Sequence, residues 1–133
     1  MRSRLHFAWA IAPLLLLGCH WHSPDCYQKL APAAYQTALG EAPNPYIIDV
    51  RTPKEHRKSR LAGAQNINFI GKGFRKHLQE LDKDRPVFIY CETAHRSPHA
   101  ARAFHKAGFP LVIDLKGGMS KWRKADLSFE SPE

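Results

Sequence analysis

No apolar run in this 133-residue chain is long enough to cross a membrane. The most extended, Phe7 through Leu17, stops well short of the roughly 20 residues that a spanning helix needs. There is no internal repeat and no low-complexity segment, so nothing divides the chain beyond its N-terminus. Cysteine is scarce: Cys19, Cys26 and Cys91 are the three, and each needs a role or a reason to have none. Acidic residues are short as well, 12 against 20 Lys and Arg, which leaves a formal charge of +8. Such a balance is compatible with nucleic acid, an anionic substrate, anionic lipid or simply solvated basic faces, and the N-terminus bears on the choice.

Arg2 and Arg4 precede the apolar stretch as the positive region of an export signal. The stretch ends in Leu16-Leu17-Gly18-Cys19, which resembles the bacterial lipobox, where the cysteine thiol receives a diacylglyceryl group and the peptide bond before it is cut. The expected division is therefore a lipoprotein signal peptide over 1–18, a lipidated tether over 19–25 and one catalytic domain over 26–133. Each buried CH₂ of an acyl chain contributes about 0.8 kcal/mol, so two or three chains hold a protein on a membrane. His20 stands where an aspartate often retains lipoproteins at the inner membrane, so the expectation is a lipid anchor in a bacterial cell envelope facing the periplasm, at the outer membrane if the host is Gram-negative. Loss of Arg2 and Arg4 with the leader brings the charge to +6. An exported protein meets little nucleic acid, so none is expected as a partner. The clusters Lys54/Arg57/Lys58/Arg60, Lys72/Arg75/Lys76 and Lys121/Arg123/Lys124 read as solvated faces.

From residue 26 onward, strand and helix patterns alternate. A strand is expected at Tyr27–Leu30, a helix at Ala33–Leu39, a turn at Ala42-Pro43-Asn44-Pro45 and a strand at Tyr46–Val50. A polar segment then runs through Arg60, followed by a short strand around Gln65–Asn68 and a helix near Phe74–Leu81. Val87-Phe88-Ile89-Tyr90 reads as a buried strand, with Ser97 as N-cap and Pro98 opening a helix that Gly108 closes. A strand at Leu111–Leu115 and a turn and helix over Lys116–Lys124 complete the order. Alternation of this kind implies an α/β fold, a parallel sheet of about five strands with helices on both faces.

The segment Cys91-Glu92-Thr93-Ala94-His95-Arg96 joins the fourth strand to its helix, and ligands of such sheets bind outside the carboxyl ends of strands. There the helix dipole and unpaired N–H groups favour an anion and should stabilise a thiolate on Cys91. Arg96 adds a permanent charge.

The loop, together with Asp49-Val50-Arg51-Thr52-Pro53-Lys54-Glu55, Leu61-Ala62-Gly63-Ala64-Gln65-Asn66-Ile67 and Leu115-Lys116-Gly117-Gly118-Met119-Ser120-Lys121-Trp122, resembles the rhodanese family of sulfurtransferases. Four motifs occur in that family's order and approximate spacing. Two departures stand out: Ser59-Arg60-Leu61-Ala62 replaces the usual Gly-His-Ile-Pro, and Ala94 stands where glycine is common. The resemblance implies a rhodanese-like fold and catalysis by Cys91, with Glu92, Thr93, Ala94, His95 and Arg96 forming the substrate cradle. In the implied reaction Cys91 takes the outer sulfur of thiosulfate as a persulfide and passes it to a thiol, or to cyanide in a test tube, with no cofactor. Asp49 and Arg51 read as a structural pair at a strand end that can support the site.

Four residues separate Cys91 from Arg96, whereas phosphatases of the same fold have five, and a carboxylate at Glu92 would repel a phosphate dianion. Mercaptopyruvate is disfavoured because that branch lacks the loop arginine. A low-turnover persulfide carrier or non-catalytic module remains the alternative, given Glu92 and the lack of a second basic residue in the loop. Cys91, His95, His99 and His105 raise a metal alternative, but the helix starts only after His95 and no metal site is expected. Cys26, which begins the first strand, is expected to be structural or idle and not bonded to Cys91.

Overall fold

The computed structural model describes residues 26–132. The leader and Cys19 lie outside the described residues. Ten elements follow in order: β1 (Tyr27–Leu30), α1 (Pro32–Glu41), β2 (Tyr46–Asp49), α2 (Pro53–Lys58), β3 (Gln65–Asn66), α3 (Phe74–Glu80), β4 (Val87–Tyr90), α4 (Ser97–Lys106), β5 (Val112–Leu115) and α5 (Gly118–Lys124). The five strands form one parallel sheet in the order β1-β5-β4-β2-β3.

Alternation along the central strand divides the core. Val87, Ile89 and Cys91 face one side, with Phe74 and Leu78 of α3 and Ala100, Ala101 and Phe104 of α4. Phe88 and Tyr90 face the other side, with Tyr35 of α1 and Met119 and Trp122 of α5. Both faces of the sheet are therefore covered, as near-continuous apolar strands require. On the second face the Tyr35 ring meets Phe88 edge-on at 5.3 Å and Trp122 at 6.1 Å, separations at which aromatic pairs attract beyond their buried area.

The strand order positions the site. The chain leaves β2 for β3 on one side and leaves β4 for β5 on the other, while β2 and β4 are neighbours. Ligand crevices open at such reversals, outside the carboxyl ends of the strands. Asp49 is in register with Tyr90, so both strands end together and Arg51 and Cys91 emerge side by side.

Two local expectations need correction, and a third is narrowed. The polar segment after β2 contains a helix, α2, which buries no residue and forms by capping: Thr52 Oγ1 accepts from the Glu55 amide while the Glu55 carboxylate accepts from the Thr52 amide, a reciprocal box with Pro53 at the first turn. Ser97 is not the N-cap of α4. Arg96 holds that place with helical backbone, and the Ser97 hydroxyl turns inward. Cys26 is fully buried and its sulfur is in a disulfide, so it is structural and not idle; Cys91 is a free thiol, so the two are not bonded to each other.

Candidate active site

Cys91 follows the last residue of β4 and is 1% exposed. The loop beyond it is held from outside by α5. Met119 N–H donates to Cys91 O at 2.9 Å and Ser120 N–H to Glu92 O at 3.0 Å, so amides of the first turn of α5, which have no partner within the helix, fix the start of the loop. Gly118 makes this approach possible. Its φ is +60°, and a Cβ there would lie 2.3 Å from Cys91 O and 2.6 Å from Glu92 O. The Gly117-Gly118 motif thus has a mechanical reason. Within the loop Ala94 takes φ +64°, a left-handed conformation that costs a residue with a Cβ roughly 1–2 kcal/mol.

The charges around the loop pair in a way that the sequence did not reveal. Asp49 and Arg51 are both fully buried and joined twice, Nε to Oδ1 at 2.9 Å and Nη2 to Oδ2 at 2.8 Å. Tyr90 donates to Asp49 Oδ2 at 3.1 Å, and His56 Nδ1 lies 3.0 Å from the same oxygen. Burial works against the Arg51 charge, but the bonds and charge of Asp49 outweigh it and hold the guanidinium firmly protonated. Arg51 also donates to the Ser59 carbonyl and, through Nη1, to Glu92 Oε2 at 2.8 Å. Arg123 bonds the other oxygen of Glu92. The carboxylate beside Cys91 is therefore clamped between two guanidinium groups, and its expected repulsion of an anion is largely cancelled.

Arg96 is engaged too. Its Nη1 and Nη2 donate to Glu55 Oε2 and Oε1 at 2.8 and 2.7 Å, a bidentate pair. The Arg96 bond, opposed by some burial, holds the Glu55 carboxyl well below its ordinary value, at about 2. Glu55, in turn, keeps the Arg96 guanidinium charged. Thr93 and His95 are exposed and bond each other, Oγ1 to Nδ1 at 2.8 Å. His99 is exposed and stacked on Phe69. Cys91 is buried while these histidines face outward, and no cluster of three metal-ligating side chains occurs among the described residues.

Beside the loop lies a recess of about 410 Å³ lined by Arg51, Glu55, Lys58, Glu92, Arg123 and Phe129. Phe129 reaches it because the C-terminal segment pairs antiparallel with Arg60, Arg60 N–H to Glu130 O at 2.9 Å and Glu130 N–H to Arg60 O at 2.8 Å. A larger groove of about 740 Å³ between α3 and α4 includes no residue of the Cys91–Arg96 loop. Volume alone would have misplaced the chemistry.

Sequence reasoning missed Glu55, Arg123, Ser97 and Asp114. Glu55 was legible as the fourth residue of a Thr-x-x-Glu box. Asp114 was legible as the one charged residue of an apolar strand. Arg123 was set aside with its neighbours as a solvated face.

The model of the rhodanese-like domain matches residues 31–125. The chain belongs to that family. It is 40% identical over 76 residues to the uncharacterised protein YqhL of Bacillus subtilis, a match that covers 57% of this chain and 59% of that one. It is 30% identical over 88 residues to the thiosulfate sulfurtransferase GlpE of Shewanella oneidensis, covering 66% of this chain and 85% of GlpE. Among solved structures, a rhodanese-related protein of Thermoplasma volcanium superposes with a TM-score of 0.69 at 21% identity, over 80% of this chain and all of that one. That likeness supports the fold, α/β with a five-stranded parallel sheet and flanking helices.

Proposed function

We propose that this rhodanese-like protein is an exported, membrane-anchored sulfurtransferase that moves sulfane sulfur from thiosulfate to a thiol acceptor through a persulfide on Cys91. The observation that carries the reading is a free cysteine at the base of a Cys-x₄-Arg loop, at the carboxyl end of a central strand. The relative named thiosulfate sulfurtransferase supports the choice of donor.

The Cys91 thiolate attacks the outer sulfur of thiosulfate. A new S–S bond forms, the S–S bond of thiosulfate breaks, and sulfite leaves with its electron pair. An acceptor thiolate, or cyanide, then attacks the outer persulfide sulfur and restores the Cys91 thiolate. This is covalent catalysis in two half-reactions. Backbone N–H groups from Glu92 to Arg96 are assigned to the persulfide anion, as an oxyanion hole serves developing charge. Arg96 orients the donor once that anion competes with Glu55 for its guanidinium. No cofactor takes part.

One observation favours a second reading, a persulfide carrier with low turnover. Arg96 is already paired and Cys91 is nearly inaccessible, so a small dianion meets little open positive charge. Turnover of thiosulfate with cyanide, compared with a phenyl phosphate ester, and a mass measurement for one added sulfur separate the cases. Rapid turnover with a persulfide on Cys91 supports the enzyme, a stoichiometric persulfide with slow turnover supports the carrier, and phosphate release would support neither.

Anchoring is proposed through a diacylglyceryl group on Cys19, facing the periplasm. The Cys26 disulfide bears on this directly. Cys91 is free, so lipidation of Cys19 requires that the Cys26 disulfide reach a thiol outside this chain. The mass of the mature N-terminal peptide reads both fates: an acylated Cys19 supports the anchor, and a disulfide-linked one excludes it.

A further inference from the structure

Behind the Cys91 sulfur lies a set of polar groups that the loop motif does not account for. Cys91 Sγ is 3.5 Å from Ser97 Oγ, Ser97 Oγ is 3.0 Å from Asp114 Oδ2, and the Tyr27 hydroxyl is 2.7 Å from the same oxygen. Ser97 and Asp114 are fully buried, and Asp114 Oδ1 has no hydrogen-bond partner. Proton counting fixes the directions. A hydroxyl has one proton to give, and Tyr27 and Ser97 both give theirs to Oδ2. Ser97 Oγ therefore faces Cys91 as an acceptor, and the thiol is the donor.

This arrangement is costly to keep. A buried carboxylate is costly to remove from water even when two hydroxyls donate to it. The Ser97 hydroxyl, at the first residue of a ten-residue helix, is likewise taken wholly out of water, which is costly unless both its bonds are kept. Neither cost is needed to fill space at this position of β5, where Val112 two residues earlier packs as plain hydrocarbon.

We propose that Ser97 and Asp114 form a proton relay that takes up the Cys91 proton as the sulfur becomes a nucleophile. The proposal rests on the sulfur-transfer reading for its purpose, not for its geometry. In the step, the Cys91 S–H bond breaks and its electron pair stays on sulfur. Ser97 Oγ gains that proton while its own O–H bond breaks, and the released proton bonds Asp114 Oδ2. One negative charge moves from the buried carboxylate to the sulfur, which the Arg96 guanidinium attracts. Ser97 touches the reacting atom, and Asp114 is a positioning residue that acts through it.

The groups facing Asp114 agree with this. Tyr27 and Lys29 face it from β1, Tyr35 from α1, Ser97 from α4 and the Leu115 amide from its own strand, with Cys91 beyond Ser97. Burial is the largest influence and raises its proton affinity, against the smaller opposing effects of Tyr27, Ser97 and Lys29. Tyr27 and Tyr35 are themselves pushed up by burial, so they stay protonated and do not compete as bases.

Thiolate absorbance in the ultraviolet, taken as the difference from Cys91→Ser across pH, tests the relay without depending on turnover. Two groups sharing a proton titrate in two coupled steps. The intact protein should show a thiolate shoulder that persists on the acid side of neutrality. In Asp114→Asn, which keeps the acceptor oxygen but accepts no proton, the profile should collapse to one step, with the signal near about pH 6 falling roughly tenfold or more. Ser97→Ala, with Asp114 intact, should behave alike even if the asparagine variant folds poorly. A profile unchanged in shape, or more thiolate at acid pH after removal of the carboxylate, overturns the relay and makes Asp114 a like charge that opposes the sulfur. Failure of thiosulfate turnover with a two-step profile would instead overturn the function and leave the relay standing.

Discussion

Arg96 and Glu55 show how a single pair can serve stability and chemistry at once. Their bidentate contact ties the loop to the first turn of α2, yet it occupies the guanidinium that a thiosulfate anion would use. Arg96→Ala should leave some persulfide formation but raise the thiosulfate concentration needed for half-maximal rate by about tenfold, roughly one charge-assisted contact; an unchanged dependence would show that Arg96 does not face the donor. The same pair has a pH signature. The Glu55 carboxyl is lowered from 4.5 to about 2, chiefly by Arg96, so its contribution is complete above its unfolded value and is lost as pH falls from 4.5 toward 2. Denaturant unfolding should therefore find Glu55→Gln less stable than the parent at neutral pH, with the two converging near the acid end of that window. Both partners are partly solvated, so the difference will be modest. Of these residues only Arg96 was legible as part of a site, because its distance from Cys91 is a spacing in sequence. The partners that neutralise Glu92 and Arg96 come from other elements, and no local pattern connects them to the loop.

The elements were more legible than their contacts. β4 falls where composition put it, since a run of apolar and β-branched residues between turn signals leaves little choice; β1 also falls at Tyr27–Leu30, although its sequence Tyr-Gln-Lys-Leu carries no such run. α2 was missed because it buries nothing: its signal is a capping box, not a periodicity. Ser97 was misread for the opposite reason. A serine before a proline is a good cap on local grounds, and only the buried Asp114 across the sheet explains why its hydroxyl turns away. α5 supports a sharper prediction. Its first turn holds the loop carbonyls so closely that Gly118→Ala must either push the loop away or unwind the helix start, and the positive φ adds its own penalty. The variant should lose at least about 2 kcal/mol of stability, read from the shift of a urea transition, and should lose persulfide formation even where it is still folded. Ala94→Gly tests the same loop in the other direction, relieving a strained φ. It should hold or raise the transition midpoint, a gain of up to about 1 kcal/mol after the added entropy of the unfolded glycine is subtracted.

At the scale of the whole molecule, the proposal joins a sulfur-handling domain to a membrane, and the two parts can be separated. Among the described residues no helix is long and apolar enough to cross a membrane, and residues 26–132 form a core on each face of the sheet. Attachment through Cys19 is proposed as a property of the tether, residues 19–25. Cys19→Ser should move the protein from the membrane fraction to the soluble fraction, or leave it unprocessed with its leader still attached. The rate of sulfur transfer per folded molecule should not change in the released form, because the contacts that hold the Cys91 loop, from Arg51, Arg123 and α5, come from residues 26–132. A wild-type protein that fractionates as soluble, with a mature N-terminus other than residue 19, would remove the anchor and leave the catalytic reading intact. A released variant that folds but no longer transfers sulfur would mean that the membrane, or a partner on it, supplies part of the site.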